Sequence, residues 1–197
     1  MKTAAPKLLV DPWLAAVAAA LIQTAVLGYM VESRAVILRS GAEVRLKTAP
    51  VDPRDLLRGD YVTLGYQIAS IPGAIVTGDV PTAPGRQTLW VQLVPAADGL
   101  WSASQASFAP LPQQAGSVVA RTLPFSYYPG ADGALPETLF VSYGIERYYV
   151  PDGEGRVLEE ARNAQSLEIA ARVGSGGTMQ IRQIFMNGKP AYQEPLY

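Results

Sequence analysis

From Trp13 to Met30 the chain carries no charged residue, and only Gln23 and Thr24 are distinctly polar. At a rise of about 1.5 Å per residue such a stretch covers most of a hydrocarbon core of about 30 Å, so the pattern predicts a transmembrane helix. Asp11-Pro12 supplies an N-cap acid and a proline for the first turn, and Trp13 and Tyr29 stand at the two ends, where interfacial aromatics belong. Leu14, Val17, Leu21, Ile22, Val26 and Leu27 together favour insertion by about −2 to −4 kcal/mol before Gln23 is set against them. The helical pattern continues from Val31 to Ser40, with Arg39 near the carboxyl end and Gly41 as a left-handed terminator, which predicts a short stalk. A cleaved signal peptide is disfavoured by the length of the stretch and the lack of a clear A-x-A site. A buried core helix is disfavoured because every face is apolar.

Beyond Gly41 the period changes from helical to alternating. Glu43 to Ala49 alternates around Val44 and Leu46, and Asp60 to Ala69 places Val62, Leu64, Tyr66 and Ile68 on one face against Tyr61, Thr63 and Gln67 on the other. The prolines and glycines of Ile71 to Arg86 predict a loop, with a short strand at Ala74 to Thr77. Leu89 to Val94 and Leu100 to Phe108 read as a hairpin closed by Ala96-Ala97-Asp98-Gly99. Strands follow at Val118 to Leu123 and Leu139 to Val150, then a turn at Asp152 to Gly155 and a short helix at Leu158 to Asn163. Ser166 to Val173 and Thr178 to Met186 pair through Gly174 to Gly177, and Asn187-Gly188 signals a type I′ turn into Lys189 to Tyr192. The expected fold is mainly β. A tail, transmembrane helix and stalk (1–41) precede two related antiparallel β modules, 42–110 and 117–197, separated by the Pro/Gln/Gly stretch Ala109 to Gly116.

Composition narrows the function by exclusion. The chain of 197 residues has 16 Lys+Arg against 17 Asp+Glu, which leaves no basic footprint for nucleic acid. It contains no Cys and no His, so thiolate catalysis, disulfides, cysteine zinc sites and the usual neutral-pH acid/base are all missing. No cofactor and no metal are expected. Ten Tyr against four Phe is a bias toward rings with a polar end, suited to protein or glycan surfaces.

The densest chemistry lies between Val51 and Tyr66, where Asp52, Arg54, Asp55, Arg58, Asp60, Tyr61 and Tyr66 fall within one turn and the strand leaving it. Pro53 fixes φ, Asp52 and Asp55 can accept backbone N–H bonds, and Gly59 permits a positive φ before the strand, so the segment also reads as a structural strand entry with Arg54 or Arg58 paired to Asp55 or Asp60. As a binding face it combines these groups with Glu146 and Tyr149, with Tyr127, Tyr128 and Tyr148 as further aromatics and Arg147 as a further cation. As a catalytic site it would need Asp60 and Glu146 to act as acid and base on a glycosidic bond. A Ca²⁺ site would draw on Asp52, Asp55 and Asp60, or on Asp152 and Glu154, though the loop patterns of known Ca²⁺ motifs are absent.

Gly59-Asp60-Tyr61, Leu64 and Tyr66 resemble the GDYXXLXY motif that names a family of membrane-anchored bacterial proteins. Pro50 to Asp55 and the later Tyr143-Gly144-Ile145-Glu146 with Tyr149, Pro151, Gly153, Gly155 and Leu158-Glu159 extend that resemblance over most of the chain. It implies an envelope component on the inner membrane, single-pass, with its domain in the periplasm and a multispanning membrane protein as partner. With no His, no Cys and no recognisable catalytic motif, the expected role is a non-catalytic accessory subunit, with a glycan- or small-ligand-binding domain or a carboxylate-dependent hydrolase as alternatives. The flanking charges count the other way, since Lys2 and Lys7 on one side face Arg34, Arg39, Arg45 and Lys47 on the other. A large translocated domain overrides such a count.

Overall fold

The computed structural model describes residues 11–50, 61–130, 133–150 and 155–194. One helix, α1 (Pro12–Ser40), carries the whole apolar stretch and its continuation without a break. Its start is the predicted one: Asp11 Oδ1 accepts from the Trp13 N–H at 3.3 Å, with Pro12 in the first turn. Its end is not. Gly41 is extended (φ −64°, ψ 152°), and its N–H donates to the Ile37 carbonyl at 2.8 Å. Glycine stands there for space, since a Cβ would lie 2.6 Å from the Ile37 carbonyl oxygen and 3.0 Å from that of Val173.

The chain therefore passes directly from α1 into strand β1 (Ala42–Ala49). No free stalk separates the two. The last turns of α1 are packed on the domain, with Ala35 and Leu38 buried and Ile37 against Gly174, whereas none of the apolar window is buried.

The domain is built of antiparallel sheets. The largest joins β1 to β12 (Leu167–Val173), β13 (Met179–Met186), β14 (Lys189–Gln193) and the short β3 (Gly65–Tyr66), in the order β14-β13-β12-β1-β3. Val44 and Leu46 of β1 turn inward beside Leu167, Ile169 and Ala171, while Glu43 pairs with Arg172 at 2.9 Å and Arg45 with Glu168 at 2.6 Å on the other face. A second sheet is β7 (Trp101–Ser107), β6 (Trp90–Pro95) and β8 (Val118–Arg121). The β12–β13 turn ties the two sheets, because the Arg121 N–H donates to the Gly177 carbonyl at 2.8 Å. Asn187 and Gly188 both have positive φ, 52° and 75°, as the type I′ reading requires.

Three two-stranded pairings complete the fold: β2 (Tyr61–Thr63) with β11 (Arg147–Tyr149), β4 (Ser70–Pro72) with β10 (Thr138–Phe140), and β5 (Gly85–Gln87) with β9 (Phe125–Tyr127). Each joins a strand from residues 42–110 to one from residues 117–197, as do β1–β12 and β6–β8. One continuous hydrophobic core accordingly includes residues from both stretches, from Val44 to Ile184. The segment Ala109 to Gly116 is the connection between β7 and β8 of one sheet.

Several sequence expectations are corrected in detail. Asp60 to Ala69 is not one strand. β2, β3 and a 3-10 turn at Gln67–Ala69 share the predicted burial alternation, but β2 pairs with β11 and β3 with β1, which bends the chain between them. Leu139 to Val150 likewise divides into β10 and β11 around Gly144, whose φ is +83°. The segment 74–77 is a 3-10 turn, Gly73–Ile75, with Val76 bridging Ala106. The second helix, α2, begins earlier than its apolar pattern and runs Gly155–Asn163.

Candidate functional site

The pairing of β2 with β11 sets Tyr61 opposite Tyr149, Val62 opposite Tyr148 and Thr63 opposite Arg147. Since side chains alternate across a strand, Val62 and Tyr148 enter the core while Tyr61, Tyr149 and Arg147 share the outer face. There the Tyr61 and Tyr149 rings lie 5.8 Å apart and the Arg147 guanidinium sits 5.4 Å from the Tyr61 ring centre. Tyr149 is 70% exposed, so the cluster holds a cation and an aromatic surface in the solvent.

Behind this face the two quoted motif segments are stitched together. The Tyr66 hydroxyl donates to the Ile145 carbonyl at 2.6 Å, the Tyr143 hydroxyl to the Ile68 carbonyl at 2.8 Å, and the Leu64 N–H to the Glu146 carbonyl at 2.8 Å. The Glu146 carboxylate accepts from the Tyr143 and Gly144 N–H groups and so closes the turn between β10 and β11. Burial, and secondarily the Glu146 charge, push the Tyr66 and Tyr143 hydroxyls well above the ordinary phenol range. Tyr148 is also raised, by burial first and then by the nearby Glu194 carboxylate.

Arg162, on α2, is 2% exposed; it donates to the Thr63 carbonyl at 2.7 Å and to the Asn163 side chain at 3.2 and 3.1 Å. It fixes the back of β2. Nothing in the sequence distinguished this arginine from a solvated residue of an amphipathic helix.

The structure thus divides the expected site. Tyr61 and Tyr149 come together on an open face, with Arg147 joining them. Tyr66 is buried and Glu146 is turned onto backbone N–H groups, so both serve the fold rather than the surface. Tyr127 is also buried, edge to face with Phe108 at 5.2 Å, while Tyr128 is exposed. Asp52, Arg54, Asp55, Arg58 and Asp60 lie outside the described residues, as do Asp152 and Glu154.

Next to the cluster runs a groove of about 690 Å³ between α1 and β11, with Val31 and Arg34 from the helix on one side and Arg147 and Tyr149 on the other. A second groove of about 700 Å³ lies along Ser33, Ile37 and Ser40 of the same helix, and no ionisable side chain lines it among the described residues. The sequence placed Arg34 only as a flanking charge, because the groove that it shares with Arg147 arises from the docking of α1 onto the domain.

Compared with known proteins, residues 23–184 match the family described as GDYXXLXY protein. No curated protein and no solved structure matches the chain.

Proposed function

The chain belongs to the GDYXXLXY family, and on that footing we propose that it is a membrane-anchored, non-catalytic accessory subunit of another membrane or envelope component. Its site of action is the inner membrane, with the domain on the periplasmic side and a multispanning membrane protein as partner. The observation that supports this reading is the unbroken passage of an apolar helix into the sheet beneath an exposed tyrosine–arginine face. A domain whose only role was to be tethered would tolerate a flexible stalk. Docking of α1 instead holds Tyr61, Arg147 and Tyr149 at a set height above the bilayer, where a partner embedded in the same membrane presents its loops. Aromatic and arginine side chains are also the types that dominate protein interfaces.

A second reading, an extracytoplasmic glycan- or small-ligand-binding domain, draws on the same ring pair and the adjoining groove. The carboxylate-dependent hydrolase is the weakest alternative, because each oxygen of the Glu146 carboxylate is turned onto a backbone N–H of its own turn.

The test is affinity purification of the tagged full-length protein in mild detergent, followed by mass spectrometry, beside the Arg147→Ala/Tyr149→Ala and Asp55→Ala/Asp60→Ala variants. A stoichiometric membrane protein recovered with the wild type and lost with Arg147→Ala/Tyr149→Ala is the expected result. Recovery of nothing from a well-folded wild type would favour the ligand-binding reading.

A further inference from the structure

Two features distinguish the groove between α1 and β11 from its neighbour across the helix. The first is charge. Arg34 and Arg147 face it together, and among the described residues neither has a carboxylate within ion-pair distance. Among the described residues one acid, Glu194, also stands in its wall, close to Tyr148, so the two guanidiniums outnumber it. Glu146 stands nearby with its carboxylate on backbone N–H groups.

The second feature is depth. With the stretch between Trp13 and Tyr29 across the hydrocarbon and these two rings at its edges, Val31 lies at the boundary, and Arg34 stands about 4.5 Å further along the axis. The headgroup layer of one leaflet is about 5–7 Å thick. Arg34 therefore sits at phosphate level, and the groove that it shares with Arg147 opens beside the helix at that height.

We propose that this groove binds the phosphate of an anionic phospholipid from the leaflet out of which the helix emerges, with Arg34 and Arg147 donating to its oxygens and Tyr149 lying in the interface. Arginine suits that role because its planar donors match phosphate geometry, and tyrosine because its ring and hydroxyl divide between apolar and polar layers. The acyl chains of such a lipid would run down the apolar face of α1 past Val31, which is exposed. The site rests on the membrane anchor of the proposed function and adds to it a lipid that fixes the tilt of the domain.

The full-length protein, reconstituted in vesicles of phosphatidylcholine alone or with phosphatidylglycerol, is floated on a gradient, then released in mild detergent and weighed by native mass spectrometry. The expected result is co-flotation in both cases and one retained phosphatidylglycerol in preference to phosphatidylcholine. Removal of either arginine (Arg34→Gln or Arg147→Gln) should lower that preference about fivefold, and removal of both about thirtyfold, with weakening at high salt. Arg86→Gln, outside the groove, serves as the charge control and should leave the preference unchanged. Failure to float with either vesicle would overturn the anchor itself. Flotation without a phosphatidylglycerol preference, or a preference that the three single variants Arg34→Gln, Arg147→Gln and Arg86→Gln lower alike, would overturn the headgroup site and leave the anchored-subunit reading standing.

Discussion

Tyr66 shows how a motif residue can be informative about identity and silent about chemistry. Its place on the inward face follows from the alternation with Val62, Leu64 and Ile68, but its hydroxyl finds a carbonyl 79 residues away, which no local pattern reveals. Tyr66→Phe leaves the Ile145 carbonyl buried without its donor and should cost about 1–3 kcal/mol, read from chemical or thermal unfolding. The same burial carries a pH dependence of definite sign. Tyr66, Tyr143 and Tyr148 have raised pKa values in the folded protein, so above about pH 10 the unfolded chain loses phenolic protons that the native state retains. Stability from these groups is complete below that pH and falls above it, by up to about 1.4 kcal/mol per pH unit for each tyrosine. The double variant Tyr66→Phe/Tyr143→Phe should be less stable at neutral pH yet show a shallower alkaline decline. An alkaline limb as steep as that of the wild type would mean that these hydroxyls are not shielded.

At the scale of elements, the junction of α1 with β1 decides how the domain is mounted. Gly41 lies where a Cβ would press on two backbone carbonyls, neither able to swing away as a side-chain tip would. Gly41→Val should therefore destabilise the docked helix by about 1–3 kcal/mol, within the range of overpacking, and expose the bond after Arg39 to trypsin in detergent. Protease resistance equal to that of the wild type would show that the helix end is already loose. Legible in the sequence were α1, the β6–β7 hairpin, the β12–β13–β14 run and the strands β1 and β8, though not the distant strand, β12, that β1 pairs with. What escaped is non-local. Tyr61 to Ile68 alternates as an unbroken strand would, yet bends because its two ends pair with different partners, and Phe125–Tyr127 becomes a strand only through β5. The candidate site shared that limit. Tyr61 and Tyr149 could be named from residue type, whereas their contact, and the groove that Arg34 shares with Arg147, depend on a pairing and a docking that periodicity does not encode.

At the scale of the whole molecule, orientation across the membrane turns on which of two effects dominates. Basic residues following the apolar stretch outnumber those before it, but the positive-inside preference is weak for long domains, which translocate largely regardless of charge. The periplasmic placement proposed above has a direct test, because the chain contains no cysteine and a single one can be introduced without background. Ala97, exposed in the turn between β6 and β7, is a suitable position, away from the groove and from the tyrosine–arginine face. In cells whose outer membrane has been made permeable and whose inner membrane is intact, Ala97→Cys should react with a membrane-impermeant maleimide as fully as it does after lysis. Labelling only after lysis would put the domain in the cytoplasm. The arginine groove would then face the inner leaflet, and its partner would have to be sought on that side of the membrane.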